Sequence, residues 1–201
     1  MKKLLTIFSL LLLPLVTPVQ AAGGYGIELK PAENNLRDQD SLQRGAILFS
    51  NYCMACHSVK YMRYNRIARD LGWTDEEVVA KMTYNQNRVV DNVMTRMLDG
   101  VAMDVMGVEP PDLSLMSRLK GTDYIYTFLT EYYQDEKGNW NNHALKGTSM
   151  PNVLEGIQRH ASPEDYAQAA RDISNSLEYA GEPAKLERLE LGLMVIVFLV
   201  L

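Results

Sequence analysis

The sequence predicts a mostly α-helical domain with long ordered loops. Apolar residues recur at three- and four-residue steps in several segments, of which Ser41–Cys56 and Pro163–Ala180 are the clearest. Helix start and stop signals bracket such segments. No stretch shows the alternation of apolar and polar residues that indicates a half-buried strand.

Capping signals set the boundaries of the N-terminal helices. Asp40 or Ser41 is placed to accept a hydrogen bond from the first turn of the first helix. Thr74 and Glu77 have the spacing of a capping box, in which each side chain bonds the backbone N–H of the other residue. A second helix is therefore predicted from this box to about Leu98.

Two shorter helices and a loop are expected next along the chain. Asp112 follows a rigid Pro-Pro turn and suits the N-cap of a short helix that ends near Gly121. Asp123 is placed to cap a helix over residues 124–133. Residues 134–151 are rich in Asn, Gly and Lys, which indicates a loop.

The first and last helices of the domain are expected to cross closely. Gly45 and Phe49 lie on one face of the first helix, where a glycine permits another helix to approach. Ser162 is a helix N-cap followed by proline in the first turn, which starts the last helix. Its small residues Ala169 and Ala170 make that helix the expected partner.

The N-terminus has the three parts of a secretory signal peptide. Two lysines precede an apolar run over residues 4–16, and small residues follow at Val19 and Ala21. Cleavage is predicted after Ala21. Residues 1–21 are then the signal and residues 22–182 an exported domain, which in a bacterium means a periplasmic one.

The C-terminal residues are apolar without interruption. Residues 191–201 read LGLMVIVFLVL, and Pro183 separates them from the preceding helix. Eleven helical residues rise about 17 Å, whereas the hydrocarbon core of a bilayer is about 30 Å thick. We interpret residues 183–201 as the start of a C-terminal membrane anchor helix, apparently truncated. The alternative is a buried terminal helix.

The acidic composition argues against nucleic-acid binding. The net charge is −5, and loss of Lys2 and Lys3 with the signal peptide would make it −7. An acidic surface suits a basic protein partner. The alternative is that the charge only keeps the chain soluble.

The two cysteines of the chain belong to one motif, Cys53-Met54-Ala55-Cys56-His57. C-x-x-C-H is the attachment signature of c-type haem. Two thiols at this spacing add to the two haem vinyl groups, and the histidine that follows is placed under the iron. Thioether formation also consumes the thiols, so that no disulfide forms in an oxidising compartment.

Two other functions for the cysteines were weighed. A thioredoxin-like dithiol site requires a βαβ context, whereas the sequence on both sides of the motif is predicted to be helical. A zinc site requires two further ligands at matching spacing, and only His143 and His160 remain as histidines. Both alternatives fit less well than haem.

A haem that transfers electrons needs a sixth iron ligand, and methionine is a frequent one. Among 11 methionines, Met150 stands out because it lies in a polar loop, directly before a proline that stiffens the loop. Met103, Met106 and His143 are the alternatives.

Four segments together resemble the cytochrome c1 family, the haem subunit of the cytochrome bc1 complex, in its proteobacterial form. They read RGAILFSNYCMACHSVKYMRYNRIARDLG, PPDLSLMSRLKGTDYIYTFL, GTSMPNVL and EYAGEP, the last leading into the terminal apolar run. The similarity covers essentially the whole chain. It implies a class I cytochrome c-like haem domain with a C-terminal transmembrane helix.

The resemblance also implies roles for individual residues. Cys53 and Cys56 would carry one haem c through thioethers. His57 and Met150 would be the axial ligands of the iron. Quinol oxidation belongs to the neighbouring cytochrome b, so the chain itself is expected to be a redox carrier without acid–base chemistry of its own.

The resemblance also implies that the PPDLS segment lines the haem on the side of the histidine. The carbonyl of Pro110 or Pro111 is expected to accept from the ring N–H of His57 and to fix its orientation. A basic residue for a haem propionate is expected a few positions later. Lys120 stands where the family usually has arginine, and it lacks the bidentate fork of that residue. Arg118 is expected to share the contact.

The partners implied by the resemblance are those of a quinol–cytochrome c reductase. The protein would accept an electron from a Rieske iron–sulfur protein and pass it to a c-type cytochrome, beside cytochrome b in a dimeric complex. The location implied is the bacterial inner membrane, with the haem domain in the periplasm. The rival hypotheses are another membrane-tethered class I cytochrome c and a periplasmic thiol oxidoreductase.

Overall fold

Helices predominate in the computed structural model, which describes residues 26–98 and 100–201. The helices of this part are α1 Gln39–Tyr52, α2 Tyr64–Leu71, α3 Asp75–Thr83, α4 Val101–Met106, α5 Met116–Lys120, α6 Thr122–Thr130, α7 Glu155–His160, α8 Pro163–Gly181 and α9 Lys185–Val200. The strands are β1 Val59–Arg63, β2 Asn92–Val93, β3 Tyr132–Gln134 and β4 Trp140–Asn142. The predicted signal peptide, residues 1–21, lies outside the described residues.

The crossing of α1 and α8 forms the centre of the fold. A Cβ atom built on Gly45 would lie 2.0 Å from the carbonyl oxygen of Asp172 and 2.7 Å from the Cβ of Ser176. The glycine therefore permits the backbones to touch, as the sequence predicted. The closest contact lies at Asp172, beyond the expected Ala169 and Ala170.

A buried carboxylate ties the two helices together at this crossing. Asp172 is 2% exposed. It accepts from the Ser41 hydroxyl at 2.7 Å and from Arg44 Nε at 2.7 Å. Such a charge is tolerated inside the protein because its oxygens are paired and hydrogen-bonded.

A Gly45→Ala variant is expected to be destabilised by about 1–3 kcal/mol, the usual cost of forcing extra atoms into a packed core. This loss should exceed the roughly 1 kcal/mol that alanine gains over glycine in helix propensity. Chemical denaturation of the holoprotein measures the change. Gly156→Ala is the matched control, because nothing lies within 4 Å of a Cβ at that helical position. Equal stability of the two variants would contradict the close crossing.

The main hydrophobic core lies between α1, α2, α3 and α8. Its largest fully buried apolar side chains are Tyr64, Leu71, Met82 and Ile173, together with Val78, Val93 and Leu154. Phe49 also belongs to this core at 3% exposure. The core therefore forms beneath the C-x-x-C-H segment and supports it from the side of α1.

Two predicted helices are shorter in the structure. The first ends at Tyr52 rather than Cys56, and its N-cap is Asp38, whose carboxylate accepts from Ser41 N at 2.9 Å. The capping box of Thr74 and Glu77 is confirmed. The helix that it opens ends at Thr83 instead of Leu98.

The early end of α3 has a local cause. Tyr84 and Asn85 both adopt positive φ angles, which interrupt the helix. The Thr83 hydroxyl donates to Val79 O and is 3.3 Å from the backbone nitrogens of Gln86 and Asn87, which donate to it. The Thr83 hydroxyl thus takes the place of a helical carbonyl as acceptor for the N–H groups of Gln86 and Asn87.

The prediction that the chain contains no strand is wrong. Strand β1 follows the C-x-x-C-H motif and pairs with β2, while β3 pairs with β4 inside the region predicted as helix and loop. Each strand has two to five residues. Such short strands leave no alternating pattern that sequence periodicity would detect.

The predictions that Asp112 and Asp123 cap the two middle helices are also wrong. Helix α5 begins after Leu115 without a side-chain cap and ends before Gly121 as expected. Asp112 instead bonds the backbone of Ser114 and Lys60. Asp123 lies inside α6 and accepts from Ala32 N at 2.8 Å, which ties the N-terminal chain to that helix.

Helix α8 agrees with the prediction at both ends. Ser162 caps it by accepting from Asp165 N at 3.1 Å, and the helix stops at Gly181. Helix α9 follows and contains the C-terminal apolar residues. It buries no residue, so the alternative of a buried terminal helix is wrong. In the two described ranges, no helix combines the length and apolarity needed to cross a bilayer.

Candidate haem site

The C-x-x-C-H segment forms a tight turn where α1 ends. Cys53 is the C-cap, and its backbone N–H donates to Phe49 O at 2.9 Å. Cys56 N and His57 N both donate to Cys53 O, at 3.0 and 2.8 Å. The backbone of the motif is therefore fixed by the helix that precedes it, with both thiols free.

His57 is buried and held in one orientation. Its Nδ1 lies 2.8 Å from the carbonyl oxygen of Pro111, which can only accept, so Nδ1 carries the hydrogen and donates the hydrogen bond. The expected hydrogen bond from the His57 ring to a proline carbonyl is confirmed, and the acceptor is Pro111. Burial lowers the pKa of His57, against the opposing effects of this bond and of Asp112. A neutral ring with Nδ1–H leaves the Nε2 lone pair for a metal.

The PPDLS segment is tied to the motif along its length. Leu113 N donates to Ser58 O at 2.8 Å, and the Ser114 hydroxyl accepts from Tyr61 N at 3.2 Å. Asp112 accepts from Lys60 N at 3.0 Å. These bonds along the start of β1 place the carbonyl of Pro111 against His57.

A second segment that the sequence did not single out also contacts the motif. Thr95 N donates to the Ser58 hydroxyl at 2.8 Å, and the Thr95 hydroxyl donates to Ala55 O at 2.9 Å. Threonine and serine on a surface segment give no signal in a single sequence. The pairing of β1 with β2, directly before Thr95, brings the two segments together.

Exposed apolar side chains are concentrated in the segments that wrap the motif. Between residues 94 and 119, eight large apolar side chains in the described part are 41–76% exposed. They are Met94, Leu98, Val101, Met103, Val105, Val108, Leu115 and Leu119. Such a concentration on a soluble domain marks a surface that a ligand or partner covers. Together with the oriented imidazole and the two free thiols, it fits a haem.

Met150 lies in the loop between β4 and α7. It is half-buried and packs against the main core. Its carbonyl accepts from the Tyr132 hydroxyl at 2.9 Å, and its N–H donates to the Thr148 hydroxyl at 3.3 Å. Burial raises the pKa of Tyr132 far above its ordinary value, so the phenol stays protonated and donates.

The alternative sixth ligands have different surroundings. Met103 and Met106 lie on the short helix α4, and Met103 is 52% exposed. His143 is exposed and stacks on Tyr133 with ring centroids 4.0 Å apart. Their hydrogen bonds join backbone to backbone: Met103 O accepts from Gly107 N at 3.0 Å, and His143 N donates to Glu131 O at 3.0 Å.

The two basic residues expected at a propionate occupy different positions. Arg118 Nη1 lies 3.7 Å from Glu182 Oε2, so it faces the junction of α8 and α9. Lys120 Nζ lies 5.5 Å from the centroid of the Tyr124 ring. The structure thus brings Arg118 to a carboxylate of the protein itself and Lys120 to an aromatic ring.

The two other functions of the cysteines find no support in this geometry. Both described sheets are antiparallel pairs, whereas a thioredoxin-like site requires a βαβ unit. Burial raises the pKa of Cys53 to about 12, the opposite of an activated thiolate. In residues 26–98 and 100–201, no three His, Cys, Asp or Glu side chains group to hold a metal ion such as zinc.

Comparison with known proteins agrees with the haem geometry. The model of the Cytochrome C1 family matches residues 33–201. The chain belongs to the cytochrome c1 family. It is 38% identical to cytochrome c1 of Allochromatium vinosum, over 99% of this chain and 92% of that protein. It is also 27% identical to the mitochondrial cytochrome c1 heme protein of Schizosaccharomyces pombe, over 81% of this chain and 62% of that protein.

One similar protein carries a different name. The chain is 33% identical to the ammonia monooxygenase gamma subunit of Nitrosomonas europaea, over 96% of this chain and 90% of that protein. The name describes that protein. For this chain, membership of the cytochrome c1 family means a covalently bound haem c and a function in electron transfer.

Proposed function

We propose that the protein is the haem-carrying subunit of a cytochrome bc1 complex, which accepts one electron from a Rieske iron–sulfur protein and donates it to a c-type cytochrome. One observation carries the proposal: a chain of the cytochrome c1 family holds the imidazole of its C-x-x-C-H motif by a 2.8 Å hydrogen bond to Pro111. A ligating histidine fixed through its second nitrogen is typical of a metal site.

Each residue of the motif has a defined part in this function. Cys53 and Cys56 attach haem c, which supplies a one-electron iron couple. His57, through Nε2, and Met150 would hold the iron. Ligation by a methionine as well as a histidine would raise its reduction potential, which suits an acceptor for Rieske centres, whose potentials reach about +300 mV.

Four further residues are assigned to the haem pocket, in less specific roles than the two cysteines and the two iron ligands. Pro110 and Pro111 line the histidine side, because Pro111 contacts His57 directly. We assign Lys120 to a propionate, since a cation there neutralises the carboxylate. Arg118 would share the contact, although it also pairs with Glu182.

The apolar segments near both termini support a proposal for the cellular arrangement. We propose that residues 1–21 direct export, that residues 22–182 form a periplasmic haem domain, and that residues 183–201 begin a membrane anchor. The support is that α9 exposes its apolar residues, among them Phe198 at 79% and Leu199 at 73%. Such a helix would hold the protein beside cytochrome b in the inner membrane, in a dimeric complex.

The net charge of −5 suits a basic cytochrome as electron acceptor. Opposite charges on two partners raise the association rate, and salt screens the attraction. We therefore propose that electron donation to the acceptor slows as ionic strength rises.

A reduced-minus-oxidised visible spectrum, with a pyridine haemochrome assay on the denatured polypeptide, tests the proposal. A c-type band that stays with the denatured chain is expected. Two titratable thiols and no covalent haem would instead favour the thiol oxidoreductase. Co-purification with a cytochrome b and a Rieske protein then separates this function from another membrane-tethered class I cytochrome c.

A further inference from the structure

The backbone of Met150 is held by a tyrosine that lies 18 residues earlier in the chain. The hydroxyl of Tyr132 donates to Met150 O at 2.9 Å. This bond joins the 147–152 loop to β3, at the end of α6. It crosses between two segments, whereas the bond from Met150 N to Thr148 stays inside the loop.

Tyr132 itself is fixed from several sides. It is 5% exposed, and its ring meets Phe128 edge-on with centroids 5.5 Å apart. Phe128 in turn stacks on Tyr124 at 6.1 Å, so three aromatic rings line one face of α6 and its continuation. In the β3–β4 pair, Tyr132 lies opposite Asn142. The phenol therefore presents its hydroxyl from a rigid support.

A third contact closes a ring of hydrogen bonds around the loop. Asn152 Nδ2 donates to Gln158 Oε1 at 2.6 Å, and Gln158 Nε2 donates to Tyr132 O at 3.4 Å. The chain from Met150 to Asn152 is therefore tied to the same tyrosine through its hydroxyl and through its backbone. Asn152 is 7% exposed, which keeps water from replacing these bonds easily.

We propose that Tyr132 is a positioning residue for the methionine ligand, which it acts on through the carbonyl of Met150. The inference rests on the proposed function, in which Met150 is the sixth ligand. Tyr132 would act without binding the iron itself. Its hydrogen bond fixes the backbone from which the thioether extends, so the loop would already be ordered when the sulfur binds.

The test is a Tyr132→Phe variant of the full-length holoprotein, which keeps the ring and removes the hydroxyl. The fraction of ferrous protein that binds carbon monoxide measures how often the methionine leaves the iron. Loss of one hydrogen bond is expected to raise the methionine-off population about fivefold, and the reduction potential should fall with it.

Tyr166→Phe is the matched control. The Tyr166 hydroxyl also donates to a backbone carbonyl, that of Leu129 at 2.6 Å, so its hydrogen bond goes to α6 and not to the backbone of Met150. A merely structural role for Tyr132 would lower the thermal unfolding midpoint of both variants and leave carbon monoxide binding at the wild-type level. That result would overturn the proposal, as would equal carbon monoxide binding in the two variants.

A Met150→Leu variant separates this inference from the ligand assignment. Increased carbon monoxide binding in Met150→Leu with wild-type binding in Tyr132→Phe would overturn the positioning role alone. Wild-type binding in Met150→Leu would overturn the ligand assignment, and the inference with it. Increased binding in both variants, with Tyr166→Phe unchanged, is the expected result.

Discussion

A Cys56→Ser variant is expected to lose most of its covalently bound haem and part of its ordered structure. A serine hydroxyl does not form the thioether, so only Cys53 remains to attach the group. Loss of haem would also leave the apolar side chains between residues 94 and 119 in water. Apolar surface left in water forfeits about 25 cal/mol per Å². A patch of a few hundred Å² therefore costs several kcal/mol, which is comparable with the whole net stability of a typical domain.

The damage should be greatest where the haem is covered. The core around Phe49 and Ile173 is built of protein side chains, mainly those of α1, α2, α3 and α8. The segments that expose apolar residues add only a few side chains to it, among them Leu113 and Met116. Limited proteolysis should therefore cut Cys56→Ser within residues 100–119 before it cuts α1 or α8.

The haemochrome content of the purified chain and its proteolysis pattern measure these effects. Ala55→Ser is the matched control, because it places a serine in the same turn at an exposed position and keeps both thiols. A colourless Cys56→Ser protein with the wild-type unfolding midpoint and the wild-type fragments would contradict the prediction.

The parts of the site that the sequence predicted depend on local chemistry. The motif of Cys53, Cys56 and His57 is contained in five residues, and the capping box of Thr74 and Glu77 in four. Ser162 with Pro163 starts α8 for the same reason. Each signal concerns hydrogen bonds within one turn of chain, so distant residues do not change it.

The resemblance to a family added one long-range contact that local signals do not supply. The bond between His57 and Pro111 joins residues 54 positions apart. The sequence alone does not decide whether the carbonyl of Pro110 or that of Pro111 accepts this hydrogen bond. The structure assigns it to Pro111 because Leu113 and Ser58 pair through their backbones and fix the register of the two segments.

The parts that the sequence did not predict depend on contacts between distant segments. The β1–β2 pair is held by two short strands 30 residues apart, and Thr95 reaches the motif only because they pair. The end of α3 was missed for a different, local reason: Tyr84 and Asn85 adopt positive φ angles, and the Thr83 hydroxyl accepts from the turn that follows. Apolar periodicity contains no information on such angles or bonds.

The tyrosine that holds the methionine loop was missed for a related reason. Residues 124–133 were predicted as one helix, on which Tyr132 would be one aromatic residue among several. The chain leaves the helix at Thr130 and continues as β3. This change of direction brings the Tyr132 hydroxyl to Met150.

A Met150→Leu variant is expected to keep its haem and to lower the reduction potential. Leucine has about the same volume as methionine, so the half-buried side chain is replaced without a cavity. It provides no lone pair for the iron. Because methionine ligation raises the potential of haem proteins, its loss should lower the potential by a sizeable part of the roughly 0.8 V that axial ligands span.

The sixth position of the iron should then be open to added ligands. Potentiometric titration and carbon monoxide binding to the ferrous protein measure the two effects on the same sample. Met103→Leu is the matched control, since it makes the same replacement at an alternative position that is 52% exposed. An unchanged potential in Met150→Leu would move the ligand to Met103, Met106 or His143, and a fall in Met103→Leu would identify Met103. The expected pattern is a change in Met150→Leu alone, because hydrogen bonds from Tyr132 and to Thr148 hold the backbone of Met150, whereas Met103 lies on a six-residue helix with its side chain 52% exposed.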